Sequence, residues 1–421
     1  MDFKTKFLNG ISVTKRYIAA FLTWLALGGV MGMLGGVVGA LFSLLLTYAT
    51  DTREKLPFLL YFLPLAGAFI AVIYKYCRLE GTGTNGVFET VRDERSVPKR
   101  LAPAVFVSTF ITHLFGGSAG REGAALQMGG SLAALLGKIT RISPKNSHIL
   151  TMCGMSALFS AVFGTPVGAC VFAVEVASTG RLYTAALFPC MVSSVSAFGM
   201  SQLLGVEPER YNVGAVPGLS GDILFKTLVI GLAVSLAGII FCTAMHTSHR
   251  LFKRFIRQRP LRAAVGGVMI VVLTLIVGSS DYNGSGAHII EGIFHGEAIR
   301  SEAFLLKILF TAITMGSGFK GGEIVPTLFI GATLGGTVAG YIDMSVPFGA
   351  ALGMTALFGG ITNCPITAMI LSFELFGSDG AFLYLIAILT TYLLTGHFSL
   401  YSGQKVMFSR IDDRLIEENR K

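Results

Sequence analysis

FGGSAGREGAALQMGGS, residues Phe115 to Ser131, places Arg121 and Glu122 on a glycine-rich turn directly before an apolar run, Ala124 to Leu136. Charge within membrane-spanning sequence costs at least about 2.5 to 3.5 kcal/mol at the bilayer centre, so it usually faces a polar cavity and serves function. Gly116, Gly117, Gly120 and Gly123 permit backbone conformations that other residues resist. A helix opening after them would aim unsatisfied N–H groups outward, and such groups attract anions. The stretch therefore predicts an anion site with a carboxylate, Glu122, standing in it.

The surrounding chain makes this a membrane site. Of 421 residues, 52% are hydrophobic and 14% charged, and the mean hydropathy is +0.68. Apolar runs of spanning length recur to the end of the chain, the pattern of a polytopic helical membrane protein. The net charge of +9 collects between apolar runs, at Lys4 to Arg16, Lys138 to Lys145, His246 to Arg262 and Arg410 to Lys421. The positive-inside rule then puts both termini and the 246 to 262 loop in the cytoplasm, which also accounts for the basic excess without a nucleic-acid partner. The first long apolar run, from Ile18 past Leu46, exceeds a signal-peptide core, so no cleaved leader is expected. The six cysteines stand singly and read as small buried hydrophobes, not as a disulfide framework or a metal site.

Along the chain, Ile18 to Thr50 is longer than one upright span requires. Gly28, Gly32 and Gly36, with Gly35 and Gly39, predict close helix contacts on two adjacent faces. Leu56 to Tyr76 reads as a second span, followed by GTGTNG (Gly81 to Gly86), a turn resembling a helix start. Asp93 to Arg100 reads as a charged loop, Glu207 to Ser220 as a surface connection and Asp222 to Met245 as a span before the basic loop. His288, Glu291, His295 and Glu297 match no zinc spacing, and their segment reads as amphipathic surface, so neither a metal nor a cofactor is implied. HExxH is absent, and the intramembrane histidines, His113 and His397, are isolated, which argues against an embedded enzyme.

Two segment pairs recur at one offset. PVGACVFAVE (Pro166 to Glu175) matches PITAMILSFE (Pro365 to Glu374), and GSAGREGAALQ from Gly117 matches GSGFKGGEIVPTL from Gly316. Both offsets are 199 residues, 365 less 166 and 316 less 117, which argues for duplication. Interrupted hydrophobic segments at corresponding places in two halves point to a transport site near the bilayer midplane. The glutamates closing the first pair, Glu175 and Glu374, read as caps on backbone groups inside the protein. An Arg121–Glu122 ion pair is not expected, because adjacent residues on a turn point apart.

These residues resemble the CLC family of anion channels and proton-coupled antiporters. GTGTN stands where the family has GSGIP, GREGA (Gly120 to Ala124) where it has GREGP, and GEIVP (Gly322 to Pro326) where it has GxFxP. Tyr401 matches the family's late, anion-coordinating tyrosine. The resemblance implies an all-α polytopic fold of inverted repeats with broken and re-entrant helices. It implies one transmembrane domain over 1–421, with halves at about 17–205 and 222–402 and no C-terminal regulatory domain. A homodimer in the plasma membrane, bacterial inner membrane by analogy, is also implied, with a pore in each subunit. Its implied anion-binding set is Thr82, Gly83, Asn85, Gly120, Arg121, Gly123, Ile324, Val325 and Tyr401.

Departures from the pattern point to one branch. Thr82 replaces the pore serine, Asn85 the proline and Ile324 the phenylalanine, while Glu323 adds a carboxylate. Glu175 is followed by Val176, where chloride exchangers carry a second glutamate. The set is most similar to the fluoride/proton antiporter branch, which confers fluoride resistance; chloride/proton antiport or passive chloride conduction is the alternative. Glu122 and Glu323 are the implied gating and proton-coupling carboxylates, and a protonated Glu122 could donate an O–H to fluoride. Phe88 and Phe329 follow the two turns and could present positive ring edges to an anion.

Overall fold

The structure, a computed structural model, describes residues 3–92, 96–180, 182–408, 410 and 415–419. Part of the 93 to 100 loop and most of the basic tail after Arg410 lie outside the described residues. Among the described residues sixteen α-helices follow one another. The first eight are α1 (Phe3–Lys55), α2 (Leu63–Tyr76), α3 (Thr84–Arg92), α4 (Leu101–Leu114), α5 (Glu122–Thr140), α6 (Pro144–Phe163), α7 (Pro166–Glu175) and α8 (Leu187–Leu203). The second eight are α9 (Gly221–Phe255), α10 (Arg259–Val277), α11 (Ala287–Phe294), α12 (Ala303–Ser317), α13 (Ile324–Tyr341), α14 (Val346–Thr362), α15 (Pro365–Phe376) and α16 (Ala381–Leu394).

Seven of the described helical segments are long and apolar enough to cross a membrane, whereas α4, α7, α12, α15 and α16 have 10 to 15 residues. At 1.5 Å per residue, the 14 residues of α4 reach about 21 Å, short of a hydrocarbon core of about 30 Å. Such broken helices end within the membrane depth, and their free backbone ends must be met by other parts of the protein. That requirement brings the two halves together. Glu175, at the end of α7, accepts from Ile366 N at 3.2 Å, Thr367 N at 2.8 Å and Thr367 Oγ1 at 2.5 Å, at the start of α15. Glu374 of α15 reciprocates, accepting from Val167 N at 2.9 Å and Gly168 N at 2.7 Å at the start of α7. Both glutamates are therefore caps across the repeat.

The repeat extends to helix crossings. In the first half α5 passes α6 so closely that a Cβ at Gly129 would lie 2.1 Å from Gly154 O. In the second half a Cβ at Gly331 of α13 would lie 2.3 Å from Gly353 O of α14. On α1 the two glycine faces serve different partners. A Cβ at Gly32 would strike Ser193 O of α8 at 2.4 Å, and one at Gly39 would meet Ala161 Cβ of α6 at 2.6 Å.

Three features differ from the sequence reading. Leu56 to Tyr76 does supply a spanning segment, Pro57–Tyr76, but not as one regular helix: it opens on a 3-10 turn, Pro57–Phe62, before α2, because Pro64 lacks the N–H that would continue one helix through it. The expected loop from His246 onward is helical as far as Phe255. Lys253 and Arg254 lie in the last turn of α9, where cations favour the negative end of a helix. Finally, a small sheet joins β1 (Ser178–Thr179), β2 (Lys405–Phe408) and β3 (Leu415–Asn419), with β1 and β2 parallel and β2 and β3 antiparallel.

Candidate functional site

The two glycine turns meet at one point. Gly120 N donates to Gly322 O and Gly322 N to Gly120 O, both at 2.7 Å. This bridge joins GREG to GGEIVP and puts the starts of α5 and α13 side by side, with Glu122 on one and Glu323 on the other. Glu122 is completely buried, and its Oε2 accepts from the N–H of Arg121 at 3.2 Å. The carboxylate has turned back onto its own helix start, where a free anion would otherwise bind.

Contrary to the sequence expectation, Arg121 and Glu122 do approach, with Nε 3.4 Å from Oε1. The reason is an anchor for the guanidinium that the turn does not reveal. Nη1 donates to Ser43 Oγ of α1 at 3.2 Å and Nη2 to Glu209 at 2.5 Å, which pulls the guanidinium alongside the carboxylate. Tyr211 Oη supports Glu209 at 3.1 Å. Arg121 is thus committed to protein partners.

Among the buried oxygens that make no hydrogen bond among the described residues, four belong to this site: Glu122 Oε1, which has only the Arg121 ion pair, Glu323 Oε2, Gln127 Oε1 and Tyr401 OH. Unsatisfied buried polar atoms are uncommon, and each calls for an explanation such as a ligand or a catalytic role. Gln127 was not singled out by sequence. It sits one turn beyond Gly123 on α5, and its Nε2 donates to Thr84 Oγ1 at 3.1 Å and to Gly123 O at 3.3 Å, leaving its oxygen free. A lone glutamine in GAALQMGG was the available signal. Glu209, in a proline-bearing connection, carried none.

The GTGTN turn contributes differently from the expectation. Thr82 Oγ1 donates to Leu79 O, so this hydroxyl is engaged in its own turn. Gly83 lies in the same turn, its carbonyl accepting from Gly86 N at 3.0 Å. Asn85 holds the Tyr401 loop instead: its Oδ1 accepts from Gly403 N at 3.1 Å and its Nδ2 donates to Ser402 Oγ at 3.2 Å. Gln404, another residue the sequence reading passed over, fixes the far side of that loop. It donates to Val176 O at 3.0 Å and to Thr362 O, and accepts from Ser399 Oγ at 2.9 Å. Val176 is fully buried where the chloride pattern has a glutamate.

Of the two phenylalanines, Phe88 joins the site, packing edge-on to Tyr401 with centroids 5.0 Å apart. Phe329 has Tyr282 and Lys307 as ring partners, with Lys307 Nζ 5.1 Å from its centroid. Ile324 and Val325 are buried at the start of α13. Glu323 and Glu122 are both electrostatic neighbours of Tyr401. Beyond Tyr401 a cavity of about 260 Å³ opens, lined by Thr243, His246, Thr247, Arg250, His397 and Ser402. Arg250 is the permanently charged residue of this lining.

Paired halves, broken helices and glycine turns aimed at one buried point define a membrane transporter. The chain belongs to the voltage gated chloride channel family, whose sequence model matches residues 66–396. It is 37% identical over 408 residues to a chloride/fluoride channel protein of Pseudomonas syringae pv. tomato, covering 94% of this chain and 89% of that protein. It is also similar to a crystal structure of a CLC-type fluoride/proton antiporter, with a TM-score of 0.88 and 34% identity over 91% of this chain and 98% of the other. A slow cyanobacterial Cl⁻/H⁺ antiporter shares the fold, with a TM-score of 0.77 and 20% identity over 88% of this chain and 94% of the other.

Proposed function

We propose that this chain is a proton-coupled fluoride exporter, an F⁻/H⁺ antiporter, with Glu122 as the group that exchanges places with the anion. The observation that carries this reading is the pair of buried carboxyl oxygens with no hydrogen-bond partner among the described residues, Glu122 Oε1 and Glu323 Oε2, at adjoining helix starts. An ionised carboxylate accepts hydrogen bonds only and repels an anion, whereas a protonated one donates an O–H. The interior can thus meet an anion through these carboxyls only when they carry protons. Proton and anion occupancy become linked by chemistry.

In this mechanism Glu122 as a carboxylate holds the helix start through the Arg121 N–H. An arriving anion takes over that donor, and Glu122 leaves with a proton. The proton and the anion then cross in opposite directions. Fluoride suits such a site because it is small and strongly hydrated, so it needs strong, close donors, and hydrogen bonds with an ionised partner are about twice as strong as neutral ones. Glu323 in the GEIVP turn and the absence of a second carboxyl at Val176 both favour the fluoride branch, as does the similarity to a protein described as a fluoride/proton antiporter.

The working unit we propose is a homodimer with a pathway in each subunit, built from halves at about 17–205 and 222–402. It would sit in the bacterial inner membrane with both termini cytoplasmic. Reconstituted protein should release fluoride from liposomes faster than chloride under matched gradients. Equal or faster chloride release would replace this reading with chloride antiport or passive chloride conduction.

A further inference from the structure

A second basic cavity lies beside the anion route and outside it. Its volume is about 200 Å³, and it is walled by α2, the chain entering GTGTN at Glu80 and Gly81, the end of α9, the start of α10, the end of α12 and the turn after it. The last turns of α9 line both cavities, with His246 and Arg250 on the Tyr401 side and His249 and Lys253 on this one. The two cavities therefore open at the same end of the molecule, which the positive-inside rule assigns to the cytoplasm.

Four basic side chains, Lys253, Arg259, Arg262 and Lys320, face this cavity against a single carboxylate, Glu80. Glu80 is engaged by Arg259 at 2.9 Å. Arg262 Nε donates to Ser317 O at 3.4 Å, and no ion pair involves its guanidinium among the described residues. Lys320 Nζ lies 4.3 Å from the centre of the Tyr74 ring, which holds it in place without neutralising it. The charged neighbours of His249 are Arg262, Lys253, Lys320 and His246, all basic. Like charges gathered in a concave site repel one another unless an anion joins them.

We propose that this cavity binds a phosphate-bearing anion, a phosphomonoester or diphosphate group. The donor set favours that chemistry over a halide, because guanidinium forks and ammonium groups spread around a cavity match an anion with several oxygens. The size agrees, since about 200 Å³ is below the roughly 300 Å³ at which drug-sized pockets begin. A headgroup-sized group fits, and anything attached to it extends outside. Basic pockets between membrane helices on the cytoplasmic side are known settings for phosphate headgroups. The same chemistry could come from a lipid or from a free solute. Lys320 is also an electrostatic neighbour of Glu323, so occupancy here would be felt at the transport carboxyls.

The test measures thermal unfolding of the full-length protein in nanodiscs, so its outcome is independent of whether fluoride is transported. One arm adds inorganic pyrophosphate to neutral phosphatidylcholine discs, with ionic strength matched by sodium chloride. The other replaces part of the lipid with phosphatidic acid. A rise of several degrees in the pyrophosphate arm identifies a free ligand, and a rise in the phosphatidic acid arm identifies a lipid. Either rise should vanish in Lys253→Gln/Lys320→Gln and persist in Lys145→Gln, a change at an exposed lysine elsewhere. Lys253→Gln alone, at an exposed position, should at least halve the shift. No rise in either arm, or an undiminished rise in the double variant, overturns the proposal.

Discussion

The carboxylate of Glu323 lies over the backbone of Gly123: a Cβ added at Gly123 would stand 3.2 Å from Glu323 Oε2 and 2.9 Å from the Cα of Gly322. The helix start of one half thus has no room for a side chain because the backbone of Gly322, and behind it the Glu323 carboxyl, occupy the space. Gly123→Ala should lower stability by about 1 to 3 kcal/mol through overpacking, seen as a lower thermal midpoint, and should slow transport. Gly199→Ala is the control for the measurement. Its Cβ would meet nothing within 4 Å, and alanine is the better helix former by up to about 1 kcal/mol. If Gly123→Ala unfolds at the wild-type temperature, the packing of the two turns is not as described.

Glu374→Ala removes the acceptor of two backbone N–H groups at the start of α7. One of these hydrogen bonds is exposed and the other part-buried, so losing each costs about 0.5 to 1.5 kcal/mol. The midpoint should fall while the ratio of fluoride to protons moved stays at the wild-type value. A changed ratio would give Glu374 a part in proton transfer and contradict its reading as a cap.

Tyr401→Phe keeps the ring against Phe88 and removes only a hydroxyl with no partner among the described residues. Stability should be unchanged, and fluoride efflux should slow several-fold. Full-speed efflux would remove Tyr401 OH from the anion route.

Glu323→Gln replaces an oxygen that can carry a proton with an amide that cannot titrate. In the wild type, fluoride efflux should rise as pH falls because protonation of Glu323 supplies an O–H donor; the glutamine amide donates at every pH, so the variant should lose that pH dependence. Wild-type pH dependence in this variant would reduce Glu323 to a structural group.

The features that the sequence made legible were those fixed by spacing along one chain. Gly28, Gly32, Gly36, Gly35 and Gly39 declared two contact faces, and α1 uses both, one against α8 and one against α6. The 199-residue offset marked Glu175 and Glu374 as corresponding caps, but only the structure shows which helix each one caps, α15 for Glu175 and α7 for Glu374. Features set by distant partners were not legible. Nothing near Arg121 foretells Ser43 or Glu209, and those anchors decide that Arg121 reaches Glu122. Thr82 looks available in the sequence, yet the carbonyl of Leu79 claims its hydroxyl. A two-residue strand at Ser178–Thr179 is too short for any alternation to announce it.

Proton movement driven by a fluoride gradient tests the central claim most directly. Proteoliposomes loaded with fluoride and diluted into fluoride-free buffer should take up protons from the medium as fluoride leaves, with no imposed pH gradient. Glu122→Gln, which keeps the shape of the side chain but cannot carry a proton, should abolish that uptake. Persistent fluoride-driven proton uptake in Glu122→Gln, or fluoride efflux from the wild type without proton uptake, would contradict the account.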